Sequence, residues 1–147
     1  MADIYVAGPL FNTHERWYLD RISEALEGAG YTTFLPHRDA GLVDFTTPGE
    51  QSRIFREDII AVRRCDLCVA LLTGADQDSG TSAELGYMFA EGKACFGLTD
   101  DFRYLNNMIW GICDEGKRIA TDITGLLELL STYVASRNSA ELPNQLS

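Results

Sequence analysis

Positive charge is scarce in this chain. There are 12 Lys and Arg against 22 Asp and Glu, which leaves a net charge of −10. Nucleic-acid binding draws on clustered Lys and Arg, so no nucleic-acid partner is expected and a polyphosphate ligand is disfavoured. Histidine is rarer still: His14 and His37 lie far apart, no His/Cys cluster forms, and no metal is expected. No apolar run approaches the length that crosses a bilayer, so no membrane partner is expected. The start, Met1-Ala2-Asp3-Ile4-Tyr5, lacks the basic and apolar regions of a signal peptide, and a cytoplasmic location is the expectation. There is no GxGxxG, GKS or GKT, so neither a dinucleotide fingerprint nor a P-loop is supported.

Cysteine is present four times, at Cys65, Cys68, Cys95 and Cys113. Cys65-Asp66-Leu67-Cys68 has the spacing of a redox or zinc motif. Cys68 falls inside an apolar strand, however, and no second close pair exists. Buried structural thiols are the simpler reading.

What the chain does have is alternation. At 147 residues it is long enough for one domain with a real core. Ile4-Tyr5-Val6-Ala7 reads as a strand and residues 14–28 as an amphipathic helix. Tyr31–Leu35 is a second strand, and residues 36–46 form a long loop. Thr47-Pro48-Gly49-Glu50 resembles a capping box that opens a helix to about Arg64. Leu67–Leu72 is apolar on both faces, as a central parallel strand is. A helix over 80–92, a strand over Ala94–Leu98, a helix over 105–114, a minor strand over Arg118–Ala120 and a helix over 122–135 complete the series. This repetition predicts an α/β single domain over residues 1–135, a five-stranded parallel sheet flanked by helices in a flavodoxin/Rossmann-like three-layer sandwich. Residues 136–147 read as a polar tail.

The densest chemistry lies in Asp78-Ser79-Gly80-Thr81-Ser82-Ala83-Glu84-Leu85-Gly86, directly after the third strand. Ligands of open α/β sheets bind at the carboxyl ends of strands. Glu84 is expected to project from the first turn of the following helix. Gly80 and Thr81 offer backbone donors at that helix start. The bland alternative makes Asp78 a cap and Glu84 a favourable first-turn acid. Tyr5 ends the first strand, where its hydroxyl can orient a carboxylate, or it is an ordinary core tyrosine. Gly8, in the Gly8-Pro9-Leu10-Phe11 turn, lets a backbone N–H or a ligand come close, or marks a plain βα turn. Asp58 is most simply a solvated helix acid. Phe11, Trp17, Phe45, Tyr87 and Trp110 could wall a flat ring, although core positions are the simpler reading for most.

The set Ile4-Tyr5-Val6-Ala7-Gly8-Pro9-Leu10-Phe11, Leu35-Pro36 with Arg38-Asp39, Asp58, Asp66, Asp78-Ser79-Gly80-Thr81 with Glu84-Leu85-Gly86, and Asn106-Asn107-Met108-Ile109 resembles the nucleoside 2-deoxyribosyltransferase family over about residues 3–120. The six-residue step from Asp78 to Glu84 is its most specific part. The resemblance implies a homo-oligomer that exchanges the base of a 2′-deoxyribonucleoside for a free nucleobase. By position, Glu84 would be the nucleophile at C1′ and Tyr5 its orienting partner. Asp58 and Asp78 would bind base and sugar hydroxyls, one of them assisting protonation of the leaving base. Gly8, Phe11 and Gly80 would line the substrate site. Asn106 and Met108 would reach into the neighbouring subunit's site, with Asn107 a rival for the asparagine role.

The chemistry stands independently. Cleaving an N-glycosidic bond builds positive charge on the sugar, which a carboxylate can stabilise and capture covalently. A second acid supplies the departing base's proton, and no metal or organic cofactor is required. The nearest alternative is an N-glycosidase of 2′-deoxynucleoside 5′-monophosphates, which needs a phosphate cradle beside the first loop. A different class is a non-catalytic nucleotide-binding module on the same fold.

Overall fold

The computed structural model describes residues 1–74, 76–103 and 105–141. Five strands form one sheet: β1 (Asp3–Ala7), β2 (Thr32–Phe34), β3 (Leu67–Leu71), β4 (Ala94–Leu98) and β5 (Ile119–Ala120). Their order is β2-β1-β3-β4-β5, and every pairing is parallel. The helices are α1 (Thr13–Gly28), α2 (Pro36–Asp39), α3 (Glu50–Arg64), α4 (Ser79–Ala90), α5 (Asn107–Ile112) and α6 (Ile123–Glu141).

Period-2 alternation sorts the strand residues into two apolar layers. Ile4, Val6, Val69, Leu71, Phe96 and Leu98 pack with Leu19, Ile22 and Leu26 of α1 and Leu126 and Leu130 of α6. Tyr5, Ala7, Cys68, Ala70 and Cys95 pack with Ala61 and Val62 of α3, Leu85 and Met88 of α4, and Ile109 and Ile112 of α5. The three-layer sandwich read from the sequence is therefore the one observed. The chain turns outward from β1 to β2 and then crosses to β3, so the loops after β1 and β3 diverge. That divergence opens a crevice at the carboxyl edge, where ligands of such sheets bind.

Four local expectations need correction. The stretch after β2 is not all loop, because Pro36 starts the short helix α2 and Asp39 accepts the Leu35 N–H at 2.8 Å. No capping box opens α3: the N-cap is Gly49 at φ +83°, and no side chain bonds the first turn. Only glycine takes that left-handed backbone without strain, and it leaves Thr47 and Pro48 in the preceding turn. Helix α4 starts at Ser79, which moves Glu84 into its second turn. Helix α6 continues to Glu141, beyond the expected boundary at 135; Ala135 and Ala140 are good helix formers, and nothing between them stops the helix. The remaining tail residues, 142–147, lie outside the described residues.

Candidate active site

The site is built on β1 and α4. Tyr5 is fully buried at the centre of the sheet, with its ring stacked on Phe34 at 5.5 Å and 17°. Phe34 sits opposite it in the β1·β2 register, and Cys68 opposite it in the β1·β3 register. The Tyr5 hydroxyl donates to Glu84 Oε1 at 2.7 Å. Leu85 and Met88, both buried, fix α4 against the sheet and so fix where Glu84 points.

Burial raises the Glu84 carboxyl to about 7; the Tyr5 hydrogen bond opposes the rise, while the Asp58 and Asp78 charges add to it. The Tyr5 phenol is driven far above its ordinary value by burial and then by the charges on Glu84 and Asp58. It therefore remains a neutral donor at any physiological pH. Asp58, half-buried on α3, is pushed up to about 6 by burial and the neighbouring Glu57. Its Oδ1 is buried with no hydrogen-bond partner among the described residues. A carboxylate left that way is costly, which favours the protonated form. The solvated-acid reading of Asp58 is thus set aside.

Asp78 has a different character. It caps α4, and its Oδ2 accepts from the Thr81 N–H and the Thr81 hydroxyl, both at 2.8 Å. Both bonds fix the carboxylate at the start of α4. Thr81 is buried, and the backbone donor expected of it is spent on Asp78, with the hydroxyl adding a second bond. Gly80 lies in the same first turn, where a Cβ would come within 3.3 Å of Asp78 Oδ2.

Other candidates fall elsewhere. A Cβ on Gly8 would meet Leu19 Cδ2 at 2.7 Å and Leu71 Cβ at 3.2 Å. This glycine is needed for the approach of α1 to the sheet. Phe11 is 80% exposed, and its N–H is held by Glu15 Oε2 at 3.0 Å. Trp17, Phe45 and Trp110 are also exposed, so core positions were the wrong expectation for them. Asn106 caps α5 through Oδ1 to the Met108 N–H at 2.8 Å, and Met108 is 72% exposed. Both line a groove of about 410 Å³ with Asp76, Gln77, Ser82 and Ile109. Asp66 receives the Asp3 N–H at the opposite sheet edge. His37 is tied to Asp20, and Arg38 to Glu27 and Asp39. A larger open groove, about 690 Å³, runs between Tyr31 and α6, away from Glu84. The four cysteines are free and buried, and burial pushes Cys95 and Cys113 up to about 12. Among the described residues no three His, Cys, Asp or Glu gather to hold a metal, and no helix is long and apolar enough to cross a membrane.

The pattern described as nucleoside 2-deoxyribosyltransferase matches residues 4–128. The chain belongs to this family. The matched span holds Tyr5, Asp58, Asp78 and Glu84, so all of the clustered acids lie inside the family's own region. A relative in Schizosaccharomyces pombe, the uncharacterized protein C191.05c, is 34% identical over 107 residues, covering 68% of this chain. The chain spans about half of that relative's length, 51%. A conserved protein from Enterococcus faecalis V583 has a similar structure, with TM-score 0.79, 27% identity, and coverage of 90% of this chain and 99% of that one. A 2-deoxyribosyltransferase from Bacillus psychrosaccharolyticus shares the fold at TM-score 0.72 and 22% identity, covering 84% and 88%. So does a CMP N-glycosidase, BcmB, from Clostridium botulinum, at TM-score 0.59 and 20% identity, covering 89% and 98%.

Proposed function

We propose that this family member moves 2-deoxyribosyl groups between nucleobases by two displacements at Glu84. The carrying observation is the 2.7 Å bond from the buried Tyr5 hydroxyl to Glu84 Oε1. A binding module has no need of a carboxylate held by a buried phenol. In the first step Glu84 attacks C1′, the C1′–N bond breaks, and its electrons leave with the base. The base takes a proton from an acid, and the sugar becomes an ester of Glu84. In the second step a free base attacks C1′, loses its proton to the same acid, and displaces the carboxylate. Two inversions give net retention.

Asp58 is the better proton donor of the two acids. It is held up to about 6 with one oxygen unpartnered, whereas Asp78 spends its carboxylate on Thr81. Asp78 is then suited to sugar hydroxyls at the helix start. Asn106 and Met108 stand exposed beside α4 rather than with Tyr5 and Glu84, which supports a homo-oligomer in which they complete a neighbouring site.

The fold shared with a CMP N-glycosidase keeps hydrolysis of a 5′-monophosphate as the second reading. The first loop argues against it. Arg16 there is bound to the Leu10 carbonyl at 2.7 Å, and Glu15 covers the Phe11 N–H. A 5′-phosphate at the Phe11 N–H would meet the Glu15 carboxylate first. Incubation with deoxyinosine and adenine tests the proposal. Deoxyadenosine is the expected product. Faster cleavage of deoxyguanosine 5′-monophosphate than of deoxyguanosine, with no exchange when adenine is added, overturns it in favour of the hydrolase.

A further inference from the structure

The opposite face of the sheet carries a second polar constellation that the proposed chemistry leaves unused. Arg118 precedes β5, and its guanidinium lies 5.5 Å from the Phe96 ring centroid and 5.0 Å from that of Tyr133. The two rings meet edge to face at 5.5 Å and 73°. A guanidinium drawn to ring faces leaves N–H groups for other acceptors. No side chain among the described residues accepts from them, and Lys117, Arg118 and Arg137 form no ion pair with the described carboxylates. Arg118 is instead held by the two rings, and Arg137 by the Tyr133 hydroxyl at 3.3 Å.

The backbone leading to this place is unusual too. Asp114 and Glu115 take φ +56° and +51°, the non-glycine residues of positive φ among those described, and Gly116 follows at +79°. Left-handed backbone at non-glycine residues is strained and clusters at functional sites. This turn delivers Lys117 and Arg118 to a groove of about 420 Å³ between β4 and α6. Asp114 and Glu128 line the same groove. The groove therefore offers fixed N–H donors at one place and carboxylate acceptors at another.

We propose that this groove binds a small phosphomonoester. Its phosphate takes the Arg118 fork and Lys117, and its hydroxyl groups donate to Asp114 and Glu128. The carboxylates favour a ligand that carries several hydroxyl donors beside its phosphate, and Phe96 and Tyr133 form the floor. The site is separate from the catalytic crevice, since Phe96 and Tyr5 belong to opposite apolar layers.

Calorimetric titration of the full chain with ribose 5-phosphate at low ionic strength tests this, with amide shifts recorded in parallel. One saturable site per chain is expected, with shifts at residues 114–118 and 132–136. Arg118→Lys keeps the charge but loses the fork, and should weaken binding at least about tenfold. Lys117 is exposed, so Lys117→Gln keeps the fold and carries the test if Arg118→Lys does not fold. Inorganic phosphate should bind more weakly than ribose 5-phosphate. Absence of saturable binding, unchanged affinity in both variants, equal affinity for inorganic phosphate, or shifts confined to Tyr5 and residues 78–84 would each overturn the assignment.

Discussion

Replacing Glu84 by glutamine is expected to abolish transfer and to stabilise the protein above neutral pH. The folded state holds this carboxyl at about 7 against an ordinary 4.5, chiefly through burial. A group whose pKa is raised by folding favours the folded state below its unfolded value. That advantage is lost as pH rises through the folded value. At about 1.4 kcal/mol per pH unit, the gap from 4.5 to about 7 corresponds to about 3 kcal/mol of destabilisation at pH 8. Solvent at the open side of the crevice screens part of this, so about 1–3 kcal/mol is the working figure. Glutamine removes the charge and keeps an oxygen for the Tyr5 hydroxyl. Urea unfolding of both proteins from pH 4 to pH 8 should give equal midpoints near pH 4 and a growing advantage for Glu84→Gln above pH 5. A difference that does not change with pH would refute the claim that Glu84 is held in a desolvated, charge-averse site.

Further outcomes follow from the same geometry. Asp58 near 6 and Glu84 near 7 titrate as a pair, and the reactive form needs Glu84 ionised with Asp58 protonated. The kcat/KM profile should therefore be a bell centred midway, at about pH 6.5, with the reactive form about one tenth of the singly protonated enzyme; a rate still rising at pH 9 would contradict this. Asp58→Asn should slow natural deoxynucleosides by about 10²–10⁴ while sparing a substrate with an activated leaving group; equal losses on both would leave Asp58 a binding role only. In Tyr5→Phe the carboxylate loses the bond that lowers its pKa, so the higher of the two apparent values, which sets the basic limb, should move upward and the maximum should fall, which a pH–rate profile reads directly. Gly8→Ala should cost about 1–3 kcal/mol in urea unfolding through the Leu19 clash; a raised KM at unchanged stability would restore the ligand role for Gly8.

Much of this architecture was legible before any coordinates. The strand β4 over Ala94–Leu98 and the buried β3 carry uninterrupted apolar runs, which long-range pairing reinforces. The Asp78-to-Glu84 step was readable through the family resemblance, since the residues alone left a helix cap and a first-turn acid equally open. Local backbone detail was harder to read. Thr47-Pro48-Gly49-Glu50 carried the letters of a cap, yet the left-handed φ of Gly49 started α3 without a side-chain bond. The polarity of residues 136–141 suggested a tail, but a solvated face is what the end of an exposed helix displays. The aromatic residues misled because Phe11, Trp17 and Phe45 are exposed, a placement that composition does not distinguish from burial. The contrast between Asp58 and Asp78 could not be read at all, since it depends on which carboxylate oxygen finds a donor.

Whether Glu84 carries the sugar is read out by intact-mass analysis after incubation with a 2′-fluoro-2′-deoxynucleoside. Fluorine at C2′ withdraws electrons and slows formation and breakdown of the glycosyl ester, and the good acceptor is omitted so that the ester accumulates. The expected result is a mass increase of one fluorodeoxyribosyl group, mapped by peptide analysis to Glu84 and lost when adenine is added. An adduct on another residue, or turnover of the natural substrate by Glu84→Gln at near wild-type rate, would contradict it.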